Sequence, residues 1–127
     1  MKTKSKSVSL LFFVFTLVAF WSDQSTAQDA VAVDPQHHKV EFENDHVRVL
    51  RITFGPGESS TMHSHPCAVA IGIRDSLVTF HLPDGSTRKA PASVGQVIVA
   101  KPQVHNVSND TAETSEVILV ELKDGGC

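Results

Sequence analysis

Short runs of β-branched and other apolar residues, separated by Gly, Pro, Asn and Asp, fill most of the chain. Their apolar positions do not repeat at i, i+3 and i+4 over the 11 or more residues that an amphipathic helix needs. Runs of this kind, bounded by turn residues, are typical of β-strands. The pattern predicts strands over Lys39–Glu43, His46–Phe54, Thr61–His65, Val69–Ile73, Leu77–Leu82, Thr87–Ala90, Gln96–Ala100, His105–Ser108 and Ser115–Lys123.

The breaks between these runs contain residues that form tight turns. Pro83-Asp84-Gly85 combines a fixed φ with two residues that tolerate a sharp reversal, so it should join two strands in a hairpin. Gly55–Gly57, Pro91–Gly95 and Asn109–Thr111 mark further breaks. So many short strands in a small chain favour an all-β sandwich or barrel over alternating strands and helices.

A different pattern occupies the start of the chain. Three lysines within the first six residues precede an apolar run, Val8–Trp21, and small residues follow at 25–27. This order indicates a secretory signal peptide over residues 1–27, with cleavage after Ala27. The run is shorter than the roughly 20 residues that span a bilayer comfortably, so a membrane anchor is the weaker alternative. The sequence therefore predicts a secreted or periplasmic protein with no stable membrane anchor after cleavage.

Cleavage changes the composition of the working protein. The full chain has 127 residues and a net charge of −3. Residues 28–127 keep all seven histidines but lose three of the 11 basic and one of the 14 acidic residues, which makes the net charge −5. A negative chain without a basic cluster argues against nucleic-acid binding. The length suits one domain, with a flexible lead-in at 28–38, a barrel at 39–123 and a loose tail at 124–127.

Histidines carry the candidate chemistry. His63 and His65 lie two residues apart on a predicted strand, so both imidazoles should project from the same face. Ring nitrogens bind metal at about 2.1 Å, and such a pair can converge on one ion when another strand supplies a third ligand. His105, at the start of a later predicted strand, is the natural third ligand. For His63 and His65 alone, a pair of exposed strand residues is the alternative interpretation.

The stretch around His63 and His65 and the stretch around His105 resemble the two sequence motifs of the cupin superfamily. The matching residues are Gly57, His63 and His65 in the first motif. The second motif has Gly95 and the His105-to-Asn109 spacing, but Pro102 lies one residue late, His105 comes one residue early and the second Gly is missing. The resemblance covers residues 41–122. It implies a single all-β jelly-roll barrel, the double-stranded β-helix, whose inward-facing ligands hold a divalent metal. It also implies a homodimer, because small cupins often pair.

The first motif lacks its usual metal-binding glutamate, since Val69 and Ala70 stand where it would fall. The resemblance therefore implies a site of three neutral ligands, His63, His65 and His105. Imidazole suits Fe, Zn, Cu or Ni, and such a site leaves open positions for a small organic ligand or substrate. Some cupin thiol dioxygenases resemble this arrangement. We expect a metal-dependent enzyme of the dioxygenase type, and the alternatives are a non-catalytic binding protein and a metal-free barrel.

Other residues are weaker candidates. His81 is either a further ligand or, more commonly for such a residue, a solvent-facing strand residue. Surface positions are expected for His37, His38 and His46, and a loop charge is expected for Glu58.

The remaining aromatic residues and cysteines have mainly structural interpretations. We expect the core or the wall of a cavity to contain Phe42, Phe54 and Phe80. Cys67 is an inert buried thiol, a soft metal ligand, or half of a disulfide with Cys127, which an oxidising compartment would permit.

Overall fold

Nine strands and one short helix make up residues 28–127, the part of the chain that this computed structural model describes. The predicted signal peptide lies outside the described residues. The elements are α1 (Ala30–Val33), β1 (His38–Glu43), β2 (Val47–Phe54), β3 (His63–His65), β4 (Ala68–Gly72), β5 (Ser76–His81), β6 (Thr87–Ala92), β7 (Val97–Ala100), β8 (Gln103–Ser108) and β9 (Ser115–Leu122). Within the same residues, no helix is long and apolar enough to cross a membrane.

The strands form two antiparallel sheets. The first has the order β1-β2-β9-β4-β7, and the second has the order β3-β8-β5-β6. The Pro83-Asp84-Gly85 turn joins β5 to β6 as predicted, with His81 opposite Thr87. Alternate residues of β2, namely Leu50, Ile52 and Phe54, point into the space between the sheets and are buried. The prediction of an all-β jelly-roll barrel is confirmed.

The core is completed by small and branched side chains from four other strands, because each strand turns alternate residues inward. They are Ala68 of β4, Val78 of β5, Val107 of β8 and Leu119 of β9. The last strand is central, since β9 pairs with both β2 and β4. A residue on the inward face of β9 therefore lies in the middle of the first sheet.

Two edge strands differ from expectation. The break predicted at Pro91 is instead part of β6, which ends at Ala92; proline is tolerated there because β6 is the edge of its sheet. Phe42 lies on β1, the edge of the other sheet, and is 54% exposed, so its assignment to the core is wrong. The register of β1 shifts between Val40 and Phe42, and all residues of β1 after His38 are exposed.

The segment before β1 packs on the barrel, whereas the sequence predicts a loose lead-in. The Asp29 side chain caps α1 by accepting from the backbone N–H groups of Val31 and Ala32. Ala30 and Asp34 are buried. The ring of His37 stacks on Phe54 with centroids 4.4 Å apart, and Nδ1 of His37 lies 2.8 Å from the Asp34 carboxylate. The surface position predicted for His37 is therefore wrong.

A disulfide between Cys67 and Cys127 ties the tail to the start of β4. The two residues are separated by 60 positions, and their Cα atoms lie 5.6 Å apart. This bridge is one of the three interpretations of Cys67 that the sequence allows. Its presence excludes the thiolate ligand, because both sulfur atoms are bonded to each other. The tail also passes β7, where Sγ of Cys127 lies 3.6 Å from the backbone oxygen of Ala100.

Opening this disulfide should destabilise the protein strongly. A bridge that closes a loop of 60 residues contributes roughly 4 kcal/mol in the chain-entropy model. We expect Cys127→Ser to lower the free energy of unfolding in urea by an amount of this order. Reduction of the wild-type protein should give the same loss, whereas reduction of Cys127→Ser should give none. Equal unfolding midpoints for oxidised and reduced wild-type protein would contradict the prediction.

Candidate metal centre in the barrel

Four histidines from three strands meet inside the barrel, and all four are buried. His63 and His65 come from β3 and share its inward face, as predicted. His105 of β8 lies directly opposite His63 in the ladder between the two strands. His38 begins β1. The ring of His63 is central, because its centroid lies 4.8 Å from that of His38, 4.9 Å from that of His65 and 4.9 Å from that of His105.

The closest group of ring nitrogens includes a histidine that the sequence places on the surface. One ring nitrogen each of His38, His63 and His65 lie within 4.8 Å of one another, an arrangement that could hold a metal ion. The surface position predicted for His38 is therefore wrong. His105 is not in this group, although its ring centroid is 5.6 Å from that of His65. Its role as a ligand stays a prediction.

Hydrogen bonds fix the orientation of the three rings, each through Nδ1. The acceptors are the backbone oxygen of Asp34 for His38 (3.0 Å), the backbone oxygen of Thr61 for His63 (2.8 Å) and the carboxylate of Glu121 for His65 (2.7 Å). A carbonyl or carboxylate oxygen only accepts, so Nδ1 carries the hydrogen and Nε2 of the neutral ring keeps its lone pair. Metal-ligating histidines make the same kind of hydrogen bond through their other nitrogen.

Burial keeps the imidazoles of His38, His63 and His105 neutral. Together with the neighbouring imidazoles it lowers the pKa of His63 to about 4 and that of His105 to about 3. The pKa of His38 is also lowered, mainly by burial. Among the described residues, Nε2 of His63 and Nδ1 of His105 are buried without a hydrogen-bond partner. Neutral imidazole is the form that binds metal, so the donor set fits a divalent ion at neutral pH.

A buried carboxylate lies behind His65. Glu121 of β9 is 1% exposed, and it accepts from Nδ1 of His65 and from Nε of Arg48 at 2.6 Å. Arg48 also pairs with Asp29, the residue that caps α1. Burial alone would raise the pKa of Glu121, but hydrogen bonds from His65 and Arg48 and their charges hold it below its usual range. Glu121 therefore stays ionised and accepts the hydrogen on Nδ1 of His65.

The other candidates from the sequence lie outside this cluster. Nε2 of His81 is 2.9 Å from the hydroxyl of Ser108, and His81 is not part of the metal-ligand group. His46 is exposed, as predicted. Glu58 lies in the loop after β2, as predicted, and accepts from the backbone N–H of Gly55.

Sequence reasoning missed Glu121 as well as His38. A usable signal was present in the alternation of β9, because Glu121 follows Val117 and Leu119 at every second position. The side chain on that face should point inward with them.

A cavity of about 640 Å³ opens from the histidine cluster between the two sheets. Its size is within the range of small-molecule sites. Apolar side chains form most of its wall, including Phe54, Val78 and Leu119, and His63 and His105 also line it. Phe80 belongs to the same wall, so the expectation that Phe54 and Phe80 lie in the core or a cavity wall is confirmed.

Solved structures identify the class to which this fold belongs. The chain is similar to a cupin domain from Bordetella pertussis Tohama I, with 22% identity and a TM-score of 0.63, over 68% of this chain and 91% of that one. It is also similar to a double-stranded β-helix protein from Klebsiella pneumoniae, with 26% identity and a TM-score of 0.55, over 70% of this chain and 78% of that one. The fold is the double-stranded β-helix that these structures share, as the resemblance in the sequence implied.

A third structure of the same fold carries a named activity. The polyketide cyclase RemF from Streptomyces resistomycificus is 18% identical and has a TM-score of 0.51, over 68% of this chain and 63% of that one. At this identity the likeness concerns the fold alone. No protein-family model matches the sequence, and comparison with curated proteins gives no match.

Glu121→Gln should weaken metal binding while leaving the three histidines in place. The amide has the shape of the carboxylate but no charge, so the hydrogen bond that orients His65 is weaker, and the amide NH₂ can compete for the same position. Losing an outer-shell partner typically costs 10–100-fold in metal affinity, and we expect a loss of about that size in competition with a chelator.

Glu116→Gln is the matched control for this experiment. Glu116 lies on the same strand and pairs with two arginines, Arg51 and Arg74, but it is remote from the histidines. The control should bind metal as the wild type does. Wild-type affinity in Glu121→Gln would contradict the assigned role of Glu121.

Proposed function

We propose that this protein binds a divalent transition metal through Nε2 of His38, His63 and His65 and holds a small organic molecule beside it. One observation carries the proposal: one ring nitrogen each of three buried imidazoles lies within 4.8 Å of the others, and each ring uses Nδ1 in a hydrogen bond, which leaves Nε2 for a metal. His105 is proposed as a fourth nitrogen next to the same site, because its ring adjoins that of His63.

The donor set favours some metals over others. Imidazole nitrogens suit Fe, Zn, Cu and Ni, whereas sites for Mg, Ca and Mn use mainly oxygen ligands. The proposed ligands are neutral, and Glu121 acts only through His65. When bound, a divalent metal would supply a Lewis acid at the histidine cluster. The residues of the barrel orient the ligands and keep the imidazoles of His38 and His63 uncharged.

A more specific proposal is a metal-dependent dioxygenase acting on a small organic acid, phenol or thiol. It is supported by the three-nitrogen site and by the largely apolar cavity that adjoins it. The pKa of His105, about 3, makes this residue a poor proton acceptor at neutral pH. No Asp or Glu lines the cavity, so the described residues supply no strong general base there. The alternative is a non-catalytic binding protein with the same metal site.

We also propose that the protein is exported, because the disulfide agrees with the signal peptide that the sequence predicts. Disulfides persist in secreted and periplasmic proteins and are rare in the cytosol.

We also propose that the protein forms a homodimer. The apolar residues Val97 and Val99 are more than 60% exposed on β7, which is an edge strand. An apolar edge of this kind is available for pairing with a second copy.

Metal titration of single-histidine variants tests the proposed ligand set. Wild-type protein stripped by a chelator should bind one equivalent of Co²⁺ or Zn²⁺, as read by absorption and elemental analysis. His38→Ala and His63→Ala should lose more affinity than the roughly 10–100-fold that follows loss of an outer-shell partner. His81→Ala is the matched control and should bind normally, because His81 bonds to Ser108 outside the cluster.

Two results of this titration would overturn the assignment. A wild-type protein that binds no metal would remove the proposed function. Loss of metal in His105→Ala together with normal binding in His38→Ala would replace His38 by His105 in the ligand set.

Dioxygen uptake separates the enzyme from the binding protein. Protein loaded with Fe²⁺ should consume dioxygen with at least one member of a panel of phenols, diketones, thiols and small carboxylic acids. His63→Ala should abolish the uptake, because the ion would lose its central ligand. If metal-loaded wild-type protein consumes no dioxygen with any member of the panel, the dioxygenase proposal is wrong and the non-catalytic binding protein is favoured.

A further inference from the structure

Arg88 differs from the other arginines in residues 28–127 because the structure gives it no carboxylate partner. Arg48, Arg51 and Arg74 each pair with at least one Asp or Glu. The polar contact of Arg88 is a long hydrogen bond, 3.4 Å, from Nη2 to the side-chain oxygen of Gln103. A guanidinium offers five N–H donors in a planar fork that matches a carboxylate. Most of these donors of Arg88 remain available to a ligand.

Arg88 lies at the cavity and close to the histidine cluster. In the ladder between β5 and β6 it is opposite Phe80, and both residues line the cavity. The guanidinium carbon is 5.0 Å from the centre of the Phe80 ring. The Phe80 ring is in turn 4.3 Å from the ring of His105. The Phe80 ring therefore adjoins both the guanidinium of Arg88 and the ring of His105.

The charges that line the cavity have one sign. Arg88, Lys89 and Lys101 are among the lining residues, and no Asp or Glu is, although acidic residues outnumber basic ones by 14 to 11 in the chain. The ammonium of Lys89 is already engaged, because Nζ donates to the hydroxyl of Thr79 at 2.7 Å and lies 3.8 Å from the Asp110 carboxylate. Among the described residues neither Arg88 nor Lys101 has a carboxylate partner, and of these two cations Arg88 has the planar fork that matches a carboxylate.

We propose that Arg88 binds the carboxylate of a small organic acid whose apolar body lies in the barrel cavity. The proposal deepens the proposed function and rests on it for the metal that would face the same ligand. A bidentate pair between Arg88 and a carboxylate fixes the orientation of the ligand, because both N–H···O bonds lie in one plane. The walls formed by Phe80, Val78 and Leu119 accept an aromatic or branched aliphatic body. A monocarboxylate of this kind is the substrate class.

Calorimetry with benzoate and benzamide tests the proposal, since the two probes differ mainly in charge. Wild-type protein should bind benzoate and bind benzamide more weakly. Arg88→Gln should lose at least about tenfold in benzoate affinity, the lower end for a charge-assisted hydrogen-bonded pair, and should not change for benzamide. Lys89→Gln removes one positive charge from the neighbouring residue and is the matched control. It should change benzoate affinity by less than about twofold, since Lys89 is engaged elsewhere.

Each protein is measured with and without Zn²⁺, and its metal content and thermal unfolding are recorded. Wild-type benzoate affinity in a folded Arg88→Gln protein would overturn the proposal. So would equal affinity of wild-type protein for the two probes, or no benzoate binding at millimolar concentration. If the protein binds no metal but Arg88 still governs benzoate binding, the proposed metal function fails and the role of Arg88 stands. Conversely, if the metal content is normal but benzoate binding does not depend on Arg88, the proposed role of Arg88 fails and the proposed metal function stands.

Discussion

Burial of several uncharged imidazoles at one point is the constraint on which this structure depends. A protonated histidine there would place a cation in a poorly solvated space next to other rings, and the lowered pKa values of His38, His63 and His105 reflect that cost. A neutral ring still has an N–H that needs an acceptor. The barrel supplies backbone oxygens for His38 and His63 and a carboxylate for His65. The acceptors sit on the Nδ1 side, so the lone pairs at Nε2 are left for a ligand.

The segment before β1 is part of the site, because it supplies one of these acceptors. The oxygen that orients His38 belongs to Asp34, and the side chain of Asp34 also holds His37. At the other end of the same segment, Asp29 pairs with Arg48, which in turn pairs with Glu121. Loss of the segment would therefore remove one acceptor directly and leave the charge of Arg48 less balanced beside Glu121. The packed conformation of residues 28–37 follows from these contacts, since four α-helical residues are too few to be stable alone.

Much of the fold could be predicted because its signals are local. Strand alternation and the Pro83-Asp84-Gly85 turn depend on neighbouring residues, and the spacing of His63 and His65 fixes their common face. The contacts of His38 with His63 and of Glu121 with His65 join elements that are distant in sequence. Arg48 contacts Glu121, 73 residues further along the chain, only because the ladder between β2 and β9 places the two residues opposite each other. No short sequence pattern encodes this pairing. Phe42 is exposed for a similar reason. It lies on β1, and the position of β1 at the edge of its sheet depends on the order of all five strands.

The absence of the usual glutamate from the first motif has an electrostatic consequence for the cavity. A ligand carboxylate would cancel part of the charge of a bound divalent ion, but the proposed ligands are all neutral. Glu121 does not take its place, because its charge is already paired with Arg48 on the far side of His65. With no acidic residue on the cavity wall and Arg88 unpaired, a bound metal would add to a potential that is already positive. Such a cavity is stabilised by an anion, and an organic acid supplies the negative charge that the protein ligands lack.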